Sequence, residues 1–415
     1  MANRQVVIVG AGIVGLSIAY SLLREGAQVT VIDRSPTGDK ASFGNAGAIA
    51  VTEVIPAARP GIWWRVPRWL LDPLGPLSVR PLHAARLVPW LVRFAKSGRP
   101  AEVARISKAL AAINGRVYDD LLPMLDSVGM RDALRAKGAI SVYATESGFQ
   151  QDSTDWEHRR KLGILAEDMG GSEARKLVPA LSSRVHRAVF TPQWSYVSDP
   201  KRIADGLRDW LAKRGVAIRT AEVLDIKKTQ GGQLALELGD GSSAITEMVV
   251  VAAGAWSALL AKRIGDRIRL ESERGYNTTL PNPGVTLDHQ LIFPEGSFVA
   301  TPLECGLRIG GAAEFGGLKA KADYRRSSAL LSLARKFLPE LQTTAGTVWA
   351  GHRPATPDSL PVIGSSAFCD NVFYAFGHGH LGLTQAATTG RLISDLIYKR
   401  PAVVDLKPYS VERFS

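Results

Sequence analysis

Val6-Val7-Ile8-Val9-Gly10-Ala11-Gly12-Ile13-Val14-Gly15 decides the fold, because an apolar run of strand character breaks on three glycines spaced as G-x-G-x-x-G before a helical pattern begins. A second apolar run, Val29-Thr30-Val31-Ile32, ends on Asp33 and Arg34, with the acid about 20 residues beyond the glycines. Each position has a physical task. Gly10 permits the tight turn out of the strand, Gly12 lets backbone amides approach a pyrophosphate, and Gly15 lets the helix pack closely. The first-turn amides of Ile13, Val14 and Gly15 then face the anion. Asp33 is placed to accept from ribose hydroxyls, so the order predicts a βαβ dinucleotide site rather than a structural turn.

Around this unit, 415 residues with 46% hydrophobic content predict two domains and enough apolar surface to fill both. Cys305 and Cys369 lie far apart and form no CxxC, which suits the reducing cytoplasm and predicts neither a disulfide scaffold nor a metal site. The opening apolar stretch carries the glycine fingerprint and is read as mature fold, not a signal peptide. No apolar run reaches membrane-spanning length.

The net charge of +12 is concentrated in one segment, residues 59–99. There Arg59, Arg65, Arg68, Arg80, Arg86, Arg93, Lys96 and Arg99 alternate with Trp63, Trp64, Trp69 and Trp90, against Asp72 alone. Two readings stand: peripheral contact with the inner face of the plasma membrane, where tryptophan sits at headgroup depth and arginine meets anionic lipid, or a helical subdomain with core tryptophans and a solvated basic face. Nucleic-acid binding is not expected, because no recognisable module accompanies the charge.

Further along, Ser42-Phe43-Gly44-Asn45-Ala46-Gly47-Ala48 is small and polar, suited to backbone running beside a cofactor. Helical spacing covers Ala101 to Val128, a strand covers Gly138 to Thr145, and a helix is expected from Asp155 to Met169. Asp199-Pro200 reads as N-cap and first position of a helix reaching Gly215, followed by a strand over Val216 to Arg219. Leu234 to Leu238 and Ile245 to Val251 read as a hairpin around Asp240-Gly241, leading into Ala252-Ala253-Gly254-Ala255-Trp256. Gln290 to Phe293, Gly296 to Thr301 and Leu307 to Gly310 are strand-like and suit a second sheet.

Together these pieces resemble the D-amino-acid oxidase-like flavoproteins, and within them the bacterial D-amino-acid dehydrogenases and the glycine and sarcosine oxidases. The resemblance rests on Gly10, Gly12, Gly15 and Asp33, on Ser42 to Gly47, on Asp199-Pro200, on Ala252 to Trp256, and above all on Gly351-His352-Arg353-Pro354, Pro361-Val362-Ile363-Gly364 and Gly377-His378-Gly379-His380-Leu381-Gly382-Leu383-Thr384. It implies an α/β (α+β overall) fold of the p-hydroxybenzoate-hydroxylase type, with a Rossmann-type FAD domain (1–50, 155–262, 345–415) and an antiparallel-sheet substrate domain (51–154, 263–344). FAD would contact Arg34, Ser42, Asn45, Ala46, Gly47, Ala253, Gly254 and Trp256, and Val223 would lay its backbone on the adenine. Gly377 to Thr384, lacking bulky side chains before a helix, would turn amides toward a flavin carbonyl. The alternative there is an ordinary glycine-rich turn.

The implied chemistry is oxidation of a D-amino acid, D-proline or hydroxy-D-proline included, by hydride transfer from Cα to flavin N5, with electrons passed to a quinone or other respiratory acceptor. Arg353 stands where the family binds the substrate carboxylate; otherwise it pairs with Asp358 or a carbonyl. Tyr276 is a candidate wall donating to the same carboxylate, or a core tyrosine. His352 and His380 would position the amine or tune the flavin, or simply bond backbone. Glycine oxidases carry an arginine where Gly379-His380-Leu381-Gly382 stands, and neither cysteine matches a covalent attachment site, so the flavin is expected to be noncovalent. A glycine- or sarcosine-type oxidase using O2, and a flavin-binding subunit without chemistry, are the alternatives.

Overall fold

A computed structural model describes residues 4–61 and 74–414. The opening strand Gln5–Val9 sits inside a six-stranded sheet ordered Ala217–Thr220, Gln28–Asp33, Gln5–Val9, Met248–Val251, Val372–Phe376, Val362–Ser365. The first five strands are parallel and the last antiparallel. Strand alternation explains why such runs are apolar throughout: Val6, Ile8, Val31 and Val250 enter the core on one face, Val7, Val9, Val249 and Val251 the core on the other. Helices Ile13–Arg24, Pro200–Ala212 and Gly382–Ile397 cover the first face. A three-stranded sheet, Val223–Lys228, Leu234–Leu238 and Ser243–Thr246, covers the second. Truncating Ile8 or Val250, both wholly buried, would cost about 2–5 kcal/mol or somewhat less for the smaller valine.

A nine-stranded, mostly antiparallel sheet follows the order Thr347–Ala355, Glu271–Leu280, Gly306–Phe315, Phe298–Leu303, Gln290–Phe293, Ala139–Tyr143, Arg187–Thr191, Glu167–Gly170, with Leu77–Val79 paired to Gly306–Phe315. Its core includes Ile140, Leu291, Phe293, Phe298 and Ile309.

The domain boundaries differ from expectation. Strands Glu167–Gly170, Arg187–Thr191 and Thr347–Ala355 join the second sheet, although the sequence places residues 155–262 and 345–415 on the nucleotide side. Conversely, Ile106, Leu110, Leu121 and Leu125, from helices Pro100–Asn114 and Val117–Val128, pack into the core beside the nucleotide sheet. The helix expected from Asp155 to Met169 runs instead over Glu146–Lys161, because the Thr145 side chain caps it by accepting from Gly148 N at 2.9 Å. The run Ile245 to Val251 is divided between two sheets at Glu247, where Thr246 Oγ1 donates toward Gln5 O at 3.1 Å. Asp199 caps its helix as read, accepting from Lys201 N at 2.8 Å.

Of the basic tryptophan segment, Trp63, Trp64, Trp69, Arg65 and Arg68 lie outside the described residues. Trp90 is 6% exposed and donates Nε1 to Ala355 O at 3.1 Å, so it is core rather than interface. Several cations serve the fold itself: Arg59 pairs with Asp155, Arg80 with Glu314, and Arg93 donates to Arg413 O and Phe414 O. No helix among the described residues is long and apolar enough to cross a membrane.

Candidate active site between the two sheets

The carboxyl ends of the nucleotide strands and one face of the second sheet enclose a cavity of about 1630 Å³, larger than the usual ligand pocket. At one end the glycine turn is built as its spacing predicts. Gly10 has φ +117°, and a Cβ there would lie 2.4 Å from Ala252 O. A Cβ on Gly15 would lie 2.0 Å from Gly10 O, so only glycine lets the helix close on the turn. Gly12 forms the N-cap, and Ser42 Oγ accepts from Ile13 N at 2.8 Å. The amides of Val14 and Gly15 fall in the first turn, which has no intrahelical acceptor to offer them.

Asp33 does more than the sequence implied. Its Oδ2 accepts from Ala11 N at 2.7 Å, and its Oδ1 accepts from Ser35 N at 2.7 Å and Lys40 Nζ at 2.8 Å. It therefore ties the glycine turn to the second strand, and the spare lone pairs of its two oxygens are what remain for a ribose hydroxyl. Arg34 lies over the Trp256 ring at 3.9 Å, and Trp256 meets His352 edge to face at 5.2 Å.

The Ser42 to Gly47 loop borders the cavity, its Asn45 side chain accepting from Gly47 N at 2.8 Å. Three buried side chains from the second sheet hold its backbone: Asn277 donates to Gly44 O at 2.5 Å, Arg308 to Asn45 O at 2.6 Å, and Gln290 to Ala46 O at 3.5 Å. Sequence reasoning missed all three, because sheet register rather than local pattern delivers them, and it also missed Lys40, which the loop after the second strand folds back onto Asp33.

Val223, Ala253 and Gly254 line the cavity, as do Gly379, His380, Leu381, Gly382 and Leu383 ahead of helix Gly382–Ile397. Gly254 at φ +55° and Gly379 at φ +54° would each project a Cβ into open space, which is the shape a cofactor edge fills. Gly377 adopts φ +83°. The neighbouring side chains have other work. His378 is buried with Nε2 2.9 Å from Thr389 Oγ1, and burial lowers its pKa to about 3. Thr384 Oγ1 accepts from Ala50 N at 3.0 Å and donates to Ala48 O at 3.2 Å, so its hydroxyl braces the fold instead of facing a cofactor. His380 is exposed at the rim.

On the opposite wall Glu273 and Arg353 are direct cross-strand partners. Arg353 Nη1 donates to Glu273 Oε1 at 2.6 Å and to Ala312 O at 3.0 Å. Ala312 holds φ +59° beside a register shift between Glu271–Leu280 and Gly306–Phe315, and this bulge presents its carbonyl to the guanidinium. The guanidinium lies on Gly275, where a Cβ would come within 2.3 Å of Nη2. Next along the same face the Trp349 indole covers Gly351 and donates Nε1 to Asp39 at 2.6 Å.

Tyr276 borders the cavity, but its ring takes the core side of its strand. One residue out of phase with Glu273 and Gly275, it is 1% exposed in the second core, and its hydroxyl donates to Glu314 and accepts from Asp323 N at 3.0 Å. It is a core tyrosine. His352 takes the face alternate to Arg353, with Nδ1 2.5 Å from Ser272 Oγ. Burial, then the charges of Arg274 and Arg34, lower its pKa to about 4, so it is neutral at physiological pH. Among the described residues no cluster of three or more His, Cys, Asp or Glu side chains is arranged to hold a metal.

A parallel sheet with a glycine turn at its carboxyl ends, a second glycine turn before the last helix, and a cationic wall over the space between them define a two-sheet flavin oxidoreductase. Residues 5–396 match the DAO family, described as FAD dependent oxidoreductase, and the chain belongs to that family. It is 33% identical over 421 aligned residues, 99% of each chain, to the D-amino-acid oxidase of Bradyrhizobium diazoefficiens. Among solved structures it is similar to glycine oxidase from Geobacillus kaustophilus (TM-score 0.73, 23% identity, 98% of both chains). L-proline dehydrogenase from P. horikoshii is similar too (TM-score 0.73, 20% identity, 99% of this chain and 98% of that one). The cofactor is FAD, and the protein is an oxidoreductase acting on amino compounds.

Proposed function

We propose that the protein oxidises D-amino acids, D-proline and its hydroxylated form among them, to imino acids that water then hydrolyses, with the electrons passed to a quinone or another respiratory acceptor. FAD held by the two glycine turns supplies the hydride acceptor for the substrate Cα–H. What the chain's own residues contribute is orientation. Arg353 carries this reading: one of its nitrogens is fixed by Glu273 and Ala312 O, while Nε and Nη2 make no hydrogen bond among the described residues. That remaining edge has the planar fork that matches a carboxylate, and it lies in the same cavity as the cofactor turns. Leu77, Val79, Val299 and Phe315 give the cavity apolar wall for an aliphatic or ring side chain. Similarity to a D-amino-acid oxidase supports D stereochemistry. The test is anaerobic bleaching of flavin absorbance by a panel of D- and L-amino acids, glycine and sarcosine. Bleaching by D-amino acids alone is expected, and a preference for sarcosine or L-amino acids would overturn the assignment.

One observation favours a second reading of the acceptor: the Bradyrhizobium relative is named an oxidase. Rapid reoxidation of the reduced protein by air, with slow reoxidation by quinone analogues, would select it. The quinone reading has a surface to go with it. Helix Pro81–Ser97 exposes Leu82 (99%), Val88 (52%) and Val92 (50%) among Arg86, Lys96 and the following Arg99, with no acidic residue on the helix. Such a face suits peripheral attachment to the anionic inner leaflet.

A further inference from the structure

We propose that Glu273 is the ammonium-binding residue of this site, so that the cavity reads the whole zwitterion of its substrate rather than the carboxylate alone. The inference rests on the amino-acid reading above and deepens it. An arginine that only clamps a carboxylate is best left with its charge uncompensated. Here Arg353 faces Glu273 across the strand pair at 2.6 Å. A lone carboxylate entering the cavity would meet a guanidinium already half-neutralised and a second carboxylate beside it. A zwitterion would not, because its own carboxylate and ammonium are attached to one carbon and present opposite charges side by side. Set against the pair, the carboxylate meets Arg353 and the ammonium meets Glu273, and the four charges alternate in sign.

The local geometry leaves the necessary atoms available. Glu273 Oε1 accepts from Arg353, and Oε2 makes no hydrogen bond among the described residues. Both side chains are about one-quarter exposed, at 25% and 28%, and both line the cavity. Gly275, against the guanidinium, lacks the Cβ that would displace it. The backbone carbonyl of Ala312, held in the left-handed region, gives Arg353 a second anchor. Arg353 therefore keeps a hydrogen-bonded position when Glu273 turns part of its charge toward a ligand.

The experiment uses two small acids that lack an α hydrogen and so bind without being oxidised: 2-aminoisobutyrate, and pivalate, in which a methyl group replaces the ammonium. Calorimetric titration of the FAD-loaded protein should show aminoisobutyrate binding roughly tenfold or more tightly than pivalate, as expected for a charge-assisted hydrogen bond. Glu273→Gln keeps an acceptor for Arg353 and removes the charge. It should weaken aminoisobutyrate by about tenfold and leave pivalate unchanged or tighter. Equal loss for both ligands, or no loss for either, would show that Glu273 only braces Arg353. If the variant fails to hold FAD, the wild-type ratio decides, and pivalate binding as tightly as aminoisobutyrate overturns the proposal. Zwitterion selectivity that depends on Glu273 in a protein whose flavin no amino acid bleaches would refute the proposed oxidation and leave this inference standing. Bleaching without that selectivity would do the reverse.

Discussion

Arg413 grips Asp358, its Nε donating to Oδ2 at 2.8 Å and its Nη2 to Oδ1 at 3.5 Å. Asp358 is thus taken up by Arg413, and Arg353 is anchored instead by Glu273 and by the Ala312 carbonyl at the cavity wall, which leaves its Nε and Nη2 edge for a ligand. Arg353→Ala is therefore expected to lower kcat/KM by about 2–5 kcal/mol of transition-state binding, roughly 30- to 5000-fold. Flavin absorbance should stay normal, since no glycine turn is touched. Steady-state kinetics with a bleaching substrate checks this, and unchanged efficiency with correctly bound flavin would remove Arg353 from the mechanism.

Gly275→Ala probes the same guanidinium without altering its charge. The new Cβ would sit 2.3 Å from Nη2, at the far end of a flexible side chain that can give way. The protein should fold and retain FAD while Arg353 is pushed off its position, and KM should rise with it. A variant with wild-type KM would mean that the guanidinium works from some other place.

The glycines of the cofactor turns separate packing from binding. At Gly15 an added Cβ meets the Gly10 carbonyl at 2.0 Å, and backbone cannot yield as a side chain does. Gly15→Ala should lose both stability, by about 1–3 kcal/mol for overpacking, and FAD. At Gly379 the Cβ would enter open cavity, so Gly379→Ala should lose FAD affinity with only about 1 kcal/mol of backbone strain in the apoprotein. Thermal melts with and without FAD distinguish the two. Neither cysteine lines the cavity, and acid denaturation should release all of the flavin.

The exposed face of helix Pro81–Ser97 predicts cosedimentation with vesicles containing phosphatidylglycerol but not with phosphatidylcholine alone. Val88→Glu with Val92→Glu should abolish it, because both positions are half exposed and acquire charge that anionic lipid repels. Identical partition with both lipids would mark the face as merely solvated.

The nucleotide half was legible because its rules are local. Gly10, Gly12, Gly15 and Asp33 act within one βαβ unit, and Asp199 caps the helix that starts one residue later. The substrate half depends on which residues face one another across strands. Tyr276 and Gly275 are adjacent in sequence, yet strand alternation sends one into the core and leaves the other under Arg353. Glu273, Asn277, Gln290 and Arg308 reach the site only through register, and Gly310-Gly311 before the bulge does not say that the Ala312 carbonyl will be aimed at Arg353. The helix expected from Asp155 begins earlier, at Glu146, because its start is set by the Thr145 cap and its sequence is too polar to show an apolar stripe.

The histidines yield the last prediction. His378, lowered to about 3 by burial, and His352, lowered to about 4 by burial and by Arg274 and Arg34, are neutral in the folded protein throughout the physiological range. Above the unfolded value near 6.5 both states are neutral and neither histidine contributes a pH dependence. As pH falls below about 6.5, the unfolded chain takes up protons that the folded chain refuses. Stability then drops by about 1.4 kcal/mol per pH unit for each histidine. The loss continues to about pH 4 for His352 and about pH 3 for His378. Urea midpoints at pH 7.5, 6 and 5 should trace this slope, and His378→Gln should roughly halve it, His352 still contributing. By the same reasoning neither ring titrates in the working range, so the acid limb of kcat/KM should be the same in His352→Gln. A limb near pH 6 to 7 that vanishes in that variant would show His352 exchanging a proton during turnover.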